Sequence, residues 1–242
     1  GDNAPMEPTE QQRSRVAEDL RGIVSGDVRC DDVFLQLYAS DASIYQIRPL
    51  GVVRPRSTDD VIACVQYAAD VGIPLHPRGA GTGAAGECIG PGLIIDFSAY
   101  MRRLVRIDAQ QVRVQPGIVH ERLNRQLRRS GRLFGPESYH TEVATIGGMI
   151  ARNDAGPRWS KYGATRDHVL SLQVVLADGT VHEFSREPLD SAQAGHLHPR
   201  KRQILTRLAQ MLADHSQLIR QRRPNCPVYR GGYDLDGLLC QG

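Results

Sequence analysis

The sequence predicts an α+β fold that combines a small parallel sheet with hairpins and flanking helices. A strand–helix–strand order over residues 52–75 indicates the parallel sheet, and turn signals at 109–110 and 178–179 indicate two hairpins. Abundant glycine (24) and proline (14), with 40% hydrophobic residues, suit a loop-rich chain better than a helical bundle. A length of 242 residues allows one large domain or two lobes that share a core.

Helical spacing, capping residues and short apolar runs justify the individual elements. Residues 9–24 have apolar side chains at helical spacing, and Ser57–Asp60 gives the next helix a capping hydroxyl and early acids. Gly131 is a typical helix end, and Asp178-Gly179 is a strong hairpin turn. In order, the predicted elements are a helix over 9–24, a strand at 52–53, a helix over 57–72, strands at 73–75 and 93–97, a hairpin over 104–115, a helix over 119–130, a helix start at 144–151, a hairpin over 168–184, a polar loop over 185–199, a helix over 200–219 and an irregular end after Arg220.

A loop almost without side chains follows the strand at 73–75. Residues 77–86 contain four glycines and three alanines, which leave backbone N–H groups uncovered. Such a loop can form a concave nest for an anion, and Arg78 can add a fixed positive charge. A surface turn rarely needs so many small residues, so the loop indicates a phosphate-bearing ligand.

The pattern Gly81–Gly86 matches G-x-G-x-x-G, but its surroundings differ from those of a nicotinamide-binding fold. Gly90-Pro91-Gly92 leaves little room for the required helix, and the next acid, Asp96, comes too early. The phosphate loop of an ATPase is excluded because no Lys-Ser or Lys-Thr follows the glycines. A second cluster, Gly147-Gly148, is explained equally well by tight helix packing or by a ligand that spans both clusters. A flavin dinucleotide fits such a ligand.

Composition excludes several other classes. A net charge of +3 implies no particular partner, and no apolar run approaches the roughly 18 residues that a membrane span needs. The five cysteines are scattered without a C-x-x-C pair, so we expect a cytoplasmic, reduced setting and no zinc or iron–sulfur ligand set in this segment. The arginines of the helix over 119–130 indicate a solvated face, because nucleic-acid binding would need aromatic partners nearby.

Several motifs, taken in order, resemble FAD-linked oxidases of the vanillyl-alcohol oxidase / p-cresol methylhydroxylase type. The motifs are Tyr38–Tyr45, Pro77–Gly83, Gly135-Pro136-Glu137, Ala144–Gly148, Tyr162-Gly163 and Val174–Gly179. Within this family the chain looks most like the branch of glycolate oxidase and of D-lactate or D-2-hydroxyglutarate dehydrogenase. The resemblance implies a two-lobed FAD-binding domain, with a small parallel-sheet lobe and a larger lobe of mixed or antiparallel sheet. We expect an entry segment over 1–47 and lobes over 48–108 and 109–242.

The resemblance also implies which residues bind FAD. The implied residues are Pro77, Arg78, Gly79, Ala80, Gly81, Thr82 and Gly83 for the pyrophosphate; Pro136, Ala144, Thr145, Ile146, Gly147 and Gly148 for the ribityl chain and the flavin ring; Ala151, Asn153 and Gly156 beside the flavin; and Val174 and Val175 near the adenine. Backbone N–H groups can supply these contacts without blocking the cofactor.

Departures from the family pattern change some of these expectations. Glu137 and Asp154 add negative charge or bulk near the expected site, where the family has Pro-Asp-Pro and Asn-Ala-Gly-Gly. Relatives with covalent flavin have a histidine where this chain has Ala84 and Ala85, so we expect non-covalent FAD. His76 precedes the loop and is interpreted as a packed strand histidine.

The implied activity is oxidation of a D-2-hydroxyacid (lactate, glycolate or 2-hydroxyglutarate) by hydride transfer to flavin N5. The base, the substrate arginine and the metal-binding histidines of this branch lie in a C-terminal cap, and we expect the second lobe to be truncated before this cap. We therefore assign no catalytic or metal-binding residue and expect this segment alone to be inactive. An iron–sulfur segment, fused or separate, is a candidate electron acceptor. The alternatives are a UDP-sugar or berberine-type flavin oxidoreductase and a cofactor-free binding module that kept the fold.

Overall fold

The structure, a computed structural model, describes residues 9–186, 197–222 and 233–240. Its helices are α1 (Glu10–Arg21), α2 (Asp32–Tyr38), α3 (Thr58–Val71), α4 (His120–Leu127), α5 (Ile146–Arg152), α6 (Trp159–Tyr162), α7 (Pro199–Gln221) and α8 (Leu235–Cys240). Its strands are β1 (Asp27–Arg29), β2 (Gly51–Arg54), β3 (Leu75–Arg78), β4 (Leu93–Asp96), β5 (Leu104–Ile107), β6 (Val112–Val114), β7 (Leu172–Val175) and β8 (Val181–Phe184). The described residues form two units. The first contains those up to Val169 together with Val175–Val181, and the second contains Leu170–Val174 and those from His182 onward.

Strand β4 is at the centre of a mixed sheet in the first unit. The strand order is β1-β2-β4-β3, in which β2 and β3 run parallel to β4 and β1 runs antiparallel to β2. Every residue of β4 is buried, because helices cover both faces of the sheet. Parallel pairing places the carboxyl ends of β3 and β4 at the same edge of the sheet. The glycine loop begins at this edge.

Neighbouring valines of β2 point to opposite faces of the sheet. Val53 belongs to a core cluster with Leu20 of α1 and Ala68 of α3, whereas Val52 clusters with Leu35 of α2. The sheet is therefore the middle of three layers. A second core in the same unit joins the antiparallel β5–β6 hairpin to α4 and α5. Its buried residues are Ile118, Leu123, Leu127, Ala144, Ile146 and Met149.

A buried carboxylate fixes the start of α3. Asp60 is 4% exposed and accepts hydrogen bonds from the backbone N–H groups of Ser25 and Arg56, both at 2.7 Å. The Ser25 hydroxyl also donates to it at 3.0 Å. Burial alone would raise the pKa of Asp60, but the hydrogen-bond donors hold it below its ordinary value. The charged carboxylate therefore joins the turn after α1 to the turn before α3.

The second unit contains α7 and α8, which are in contact with each other. Lys201 of α7 donates from Nζ to the backbone oxygen of Glu183 at 2.6 Å, so the helix is tied to β8. Among the helices of the described ranges, none is both long and apolar enough to cross a membrane.

The predicted fold class is confirmed, since the first unit contains the parallel sheet and a β5–β6 hairpin, and β7 and β8 form another two-stranded sheet. Strand β3 begins at Leu75 rather than Ile73, because the Ile73 N–H donates to Ala68 O at 2.9 Å and closes the end of α3. The hairpin predicted over 168–184 is wrong at its start, because its first strand, β7, begins only at Leu172. Residues Thr165–His168 form a 3-10 helix, in which Asp167 accepts a hydrogen bond from Ala164 N at 2.8 Å.

Other predictions of secondary structure have mixed outcomes. The sequence patterns do not predict α2 or β1, which are short. The prediction of an irregular chain after Arg220 is wrong at α8. Most of the predicted polar loop over 185–199 lies outside the described residues. The proposed lobe boundaries, at 48–108 and 109–242, stay predictions.

Asp60 offers a test of this architecture. We expect Asp60→Asn to lower the free energy of unfolding by about 2 kcal/mol, because an amide NH₂ would face backbone donors and the charge-assisted bonds would be lost. The matched control is Asp59→Asn, which removes the neighbouring exposed carboxylate from the same first turn of α3. Urea denaturation of the purified proteins measures both effects. Equal losses in the two variants would contradict the role given to Asp60.

Candidate functional site

The loop after β3 has the backbone geometry of an anion nest. Gly81 and Gly86 have positive φ values of 71° and 77°, a conformation that glycine adopts without strain. Within the described part of the chain, the backbone N–H groups of residues 79–84 donate to no other group. Backbone N–H groups without partners are rare unless solvent or a ligand accepts their hydrogen bonds. The loop therefore fits a ligand with several anionic oxygens.

Arg78 lies beside this loop and is bound to backbone oxygens. Its guanidinium donates to Ser40 O at 2.8 Å and to Tyr38 O at 3.3 Å, and it lies 5.1 Å from the centre of the Tyr38 ring. The backbone N–H of Ala42 donates to Gly81 O at 3.1 Å. The sequence predicts Arg78 as a fixed charge for the nest. In the structure its hydrogen bonds instead tie the segment after α2 to the loop, and its contact with phosphate stays a prediction.

The amino terminus of α5 meets the nest. Thr145 is 2% exposed, and its hydroxyl caps α5 by accepting a hydrogen bond from Gly148 N at 3.3 Å. A Cβ atom at Gly79 would overlap this hydroxyl, so only glycine allows the approach. The glycine loop is therefore in contact with the residue that caps α5, the helix whose first turn contains Gly147 and Gly148.

The diglycine has two distinct environments. The N–H of Gly147 donates to Pro116 O at 2.8 Å, and a Cβ atom there would lie 2.8 Å from Cβ of Pro116. Tight packing therefore explains Gly147. A Cβ atom at Gly148 would meet no atom of the described residues within 4 Å except Oγ1 of Thr145, at 3.1 Å. Packing against another segment does not explain Gly148, and its contact with a ligand stays a prediction.

The first turn of α4 holds two of the segments that are predicted to bind the cofactor. The backbone N–H of His120 donates to Ala144 O at 2.9 Å, and its Nε2 lies 2.9 Å from Pro136 O. A carbonyl oxygen only accepts, so Nε2 carries the proton. One turn later, Asn124 accepts from Phe134 N at 2.7 Å and donates to Phe134 O at 3.1 Å. Pro136 and the start of α5 are thus fixed to one helix.

Comparison with known proteins decides the family. Residues 49–185, more than half of the chain, match the family model described as FAD binding domain. The chain belongs to this family. FAD is therefore the cofactor of the domain, and the free N–H groups of the nest fit the cofactor's diphosphate.

Relatives and solved structures agree with this assignment. The chain is 37% identical to D-2-hydroxyglutarate dehydrogenase of Pantoea ananatis over 209 residues, which cover 81% of the chain and 20% of the relative. It is 34% identical to glycolate oxidase subunit GlcD of Bacillus subtilis over 164 residues, which cover 65% of the chain and 35% of the relative. The chain thus spans about a fifth of the length of the first relative.

The structure of 6-hydroxy-D-nicotine oxidase from Arthrobacter nicotinovorans matches with a TM-score of 0.61 and 26% identity, over 72% of this chain and 39% of the other. Alkyldihydroxyacetonephosphate synthase matches with a TM-score of 0.64 and 19% identity, over 84% and 38%, and so shows the fold alone. The resemblance to oxidases of the vanillyl-alcohol oxidase / p-cresol methylhydroxylase type, and to their glycolate oxidase and D-2-hydroxyacid dehydrogenase branch, is confirmed.

Glu137 and Asp154, the two carboxylates by which this FAD-binding domain departs from the family pattern, each have an arginine partner. Glu137 forms an ion pair with Arg158, whose Nε lies 2.9 Å from Oε2, and the hydrogen bonds from Arg158 hold the pKa of Glu137 below its ordinary value. Oδ1 of Asp154 lies 3.7 Å from Nε of Arg152. Neither carboxylate is an unpaired charge, so the two departures from the family pattern are compatible with an anionic cofactor.

The remaining predicted residues support the site in different ways. Asn153 has φ 52°, caps the end of α5 and accepts a hydrogen bond from Arg166 N at 3.0 Å. Gly156 has φ 61°, and a Cβ atom there would lie 2.7 Å from Cβ of Glu137. Ala151 is exposed on α5, while Ala144 and Ile146 are buried in the second core. Val175 belongs to the first unit and Val174 to the second, and contacts of either with FAD stay predictions.

Sequence reasoning misses two residues of the site. It assigns no role to His120, although His120 and Asn124 are spaced one helical turn apart directly after the Pro116-Gly117 break. It also misses Arg152, whose Nη1 donates to Thr82 O at 3.5 Å and whose Nε lies 3.6 Å from Glu87. A basic residue in the last turn of a glycine-rich helix is a weak signal, because such residues commonly interact with the helix end alone.

Two glycines with the same φ allow a test of the loop. Gly72 and Gly81 both have φ 71°, but a Cβ atom at Gly72 meets nothing within 4 Å, whereas one at Gly81 would lie 2.6 Å from Nη2 of Arg78. We expect Gly72→Ala to cost about 1 kcal/mol of stability from backbone strain. Gly81→Ala should cost roughly 2 kcal/mol more, because it displaces a charge-assisted donor. Denaturant unfolding measures the loss of stability in each variant. Equal losses would exclude a stabilising role for the hydrogen bonds of Arg78 to Tyr38 O and Ser40 O.

We expect the stability of the fold to depend on pH because of the buried His120. Burial lowers its pKa below the ordinary value of 6.5, and a second proton on Nδ1 would place a charge where no described residue accepts a hydrogen bond from it. The unfolded chain takes up this proton as the pH falls below about 6.5, whereas the folded chain resists it. Stability should therefore be full above this pH and fall below it, by up to about 1.4 kcal/mol per pH unit.

Substitution isolates the contribution of this histidine. His120→Gln should flatten the fall in unfolding free energy at acidic pH, while His140→Gln, which removes an exposed histidine, should leave the slope as it is. Unfolding curves at a series of pH values provide the measurement. If the unfolding free energy of the two variants falls with the same slope at acidic pH, His120 is not the group that causes the fall.

Proposed function

We propose that this chain is the FAD-binding domain of a flavin-dependent oxidoreductase that oxidises a D-2-hydroxyacid such as lactate, glycolate or 2-hydroxyglutarate. The contact of the glycine nest with the start of α5 carries the proposal, because it brings together the two segments that are predicted to bind the diphosphate and the flavin ring. The names of relatives at 34–37% identity support the substrate class. The activity concerns a longer polypeptide of which this domain would be one part.

The residues present fit the cofactor as follows. Backbone N–H groups of residues 79–83 would hold the diphosphate, and Thr145, Gly148 and Pro136 would line the ribityl chain and the ring. The bound flavin would supply the hydride acceptor for the oxidation. The domain's own residues would bind and orient the ring, since His120 fixes the backbone at Pro136 and at Ala144. We assign no acid or base among them.

Non-covalent binding is part of the proposal. Ala84 and Ala85 have no nucleophilic side chain, and burial raises the pKa of the Cys88 thiol to about 11, so it stays protonated. His76 packs against Gly90, where a Cβ atom would overlap the imidazole ring. These observations favour a cofactor that is held without a covalent bond. We also propose a cytoplasmic location and an iron–sulfur electron acceptor, which rest on the scattered cysteines and on the family resemblance.

The alternatives have weaker support. The solved structure of BBE-like 1 from Physcomitrella patens is 19% identical in sequence to this chain and shows the fold alone. A cofactor-free binding module would keep the same fold but would not need an uncovered Gly148. Titration of the purified protein with FAD decides this point, because a cofactor-free module would leave the flavin fluorescence unchanged.

The diglycine allows binding to be separated from folding. Gly148→Ala adds a methyl group at an open position of α5, so it should weaken FAD binding about tenfold. Its stability should change by less than about 1 kcal/mol, because the better helix propensity of alanine is offset by a close contact of the methyl group with Oγ1 of Thr145. Gly147→Ala should instead lose stability, because its methyl group meets Pro116. Flavin-fluorescence titration and urea unfolding give both quantities, and wild-type affinity in Gly148→Ala would place the flavin elsewhere.

The substrate class requires the full-length polypeptide. Anaerobic addition of D-lactate, glycolate or D-2-hydroxyglutarate should bleach the flavin absorbance, and the L enantiomers of the chiral acids should act far more slowly. Bleaching by none of these acids would overturn the substrate class while leaving FAD binding intact.

A further inference from the structure

The anion nest contains a carboxylate of the chain itself. A Cβ atom at Gly83 would overlap the carboxylate of Glu87 and lie 2.9 Å from its carbon atom. Oε2 of Glu87 accepts a hydrogen bond from Ala85 N at 3.1 Å, which is the backbone donor next to the free N–H groups of residues 79–84. Glu87 thus covers the small-residue surface where a phosphate oxygen would bind.

Arg152, the last residue of α5, connects this carboxylate to Asp154. Its Nε lies 3.6 Å from Oε1 of Glu87 and 3.7 Å from Oδ1 of Asp154, and its Nη1 donates to Thr82 O at 3.5 Å. Two carboxylates therefore share one guanidinium, and of the two only Glu87 lies at the nest. The Glu87 carboxylate opposes the entry of a diphosphate unless it moves away from the nest.

We propose that Glu87 occupies the diphosphate nest of the free domain as an internal anion and must leave it before the cofactor binds. The inference rests on the proposed function, since it identifies the ligand of the nest as the FAD diphosphate. Displacement requires only a side-chain rotation, because the Glu87 side chain is 40% exposed and its polar contacts among the described residues are one backbone N–H and one long ion pair. Arg152 is then free to pair with the diphosphate, while Asp154 remains beside it.

Occupation of the nest reduces the apparent affinity for every ligand that needs it. Ligand binds only while Glu87 is out of the nest. The apparent dissociation constant therefore equals the intrinsic one divided by the fraction of molecules whose nest is open. A closed fraction of roughly nine-tenths weakens binding about tenfold. The penalty applies equally to FAD and to inorganic pyrophosphate, which distinguishes it from an effect on the flavin ring.

The experiment compares substitutions that remove one carboxylate each. Glu87→Ala opens the nest and should bind both FAD and pyrophosphate about tenfold more tightly. Glu87→Gln should give a smaller gain, because its amide oxygen still accepts from Ala85 N. Asp154→Asn removes a carboxylate from the same guanidinium but not from the nest, and Asp70→Asn removes an exposed one from the end of α3; each should change affinity by less than about twofold.

Calorimetric titration with pyrophosphate and fluorescence titration with FAD measure the dissociation constants, and urea unfolding shows whether each variant is folded. Unchanged or weaker pyrophosphate binding in both folded Glu87 variants would overturn the proposal, as would equal gains in Asp154→Asn and Glu87→Ala. A gain for pyrophosphate without FAD binding in any protein would support the internal anion and overturn the proposed function instead.

Discussion

The contact between Gly79 and the Thr145 hydroxyl determines how the candidate site is assembled. The hydroxyl caps α5, and a side chain at position 79 would overlap it, so the loop after β3 reaches α5 only through a glycine. Thr145 also forms an isolated antiparallel bridge with Val119, directly before α4. The parallel sheet, α4 and α5 are therefore joined at one buried threonine, and the nest and the diglycine acquire a fixed separation without any long side chain between them.

Charged side chains around this point are bound mainly to one another or to backbone oxygens. Arg78 donates to the carbonyls of Tyr38 and Ser40, Arg158 pairs with Glu137, and Arg152 lies between two carboxylates. In the proposed site, most of the attraction for a diphosphate would come from backbone N–H dipoles, which the loop orients before the ligand arrives. Such donors keep the same charge at every pH and lose no side-chain entropy on binding.

Local patterns predict most of the elements but few of the contacts in the site. Capping at Ser57, the glycine at 131 and the Asp178-Gly179 turn act over a few residues, and the sequence is sufficient to find them. The roles of His120 and Arg152 depend on partners that only the fold brings close, such as Pro136 and Glu87. The same limit applies to Gly147 and Gly148, which are equivalent in sequence and differ only through Pro116.

If Glu87 occupies the nest as proposed, the site would favour long ligands over small anions. A small anion that reaches the loop would have to displace Glu87 with its phosphate contacts alone, and it would approach two carboxylates that share one guanidinium. A dinucleotide makes the same contacts and also gains those at Gly148 and at the Pro136 segment, which the contact at Thr145 holds at a fixed distance. Under the proposal, the extra contacts of a dinucleotide would offset the penalty from Glu87, which acts in full on a small anion.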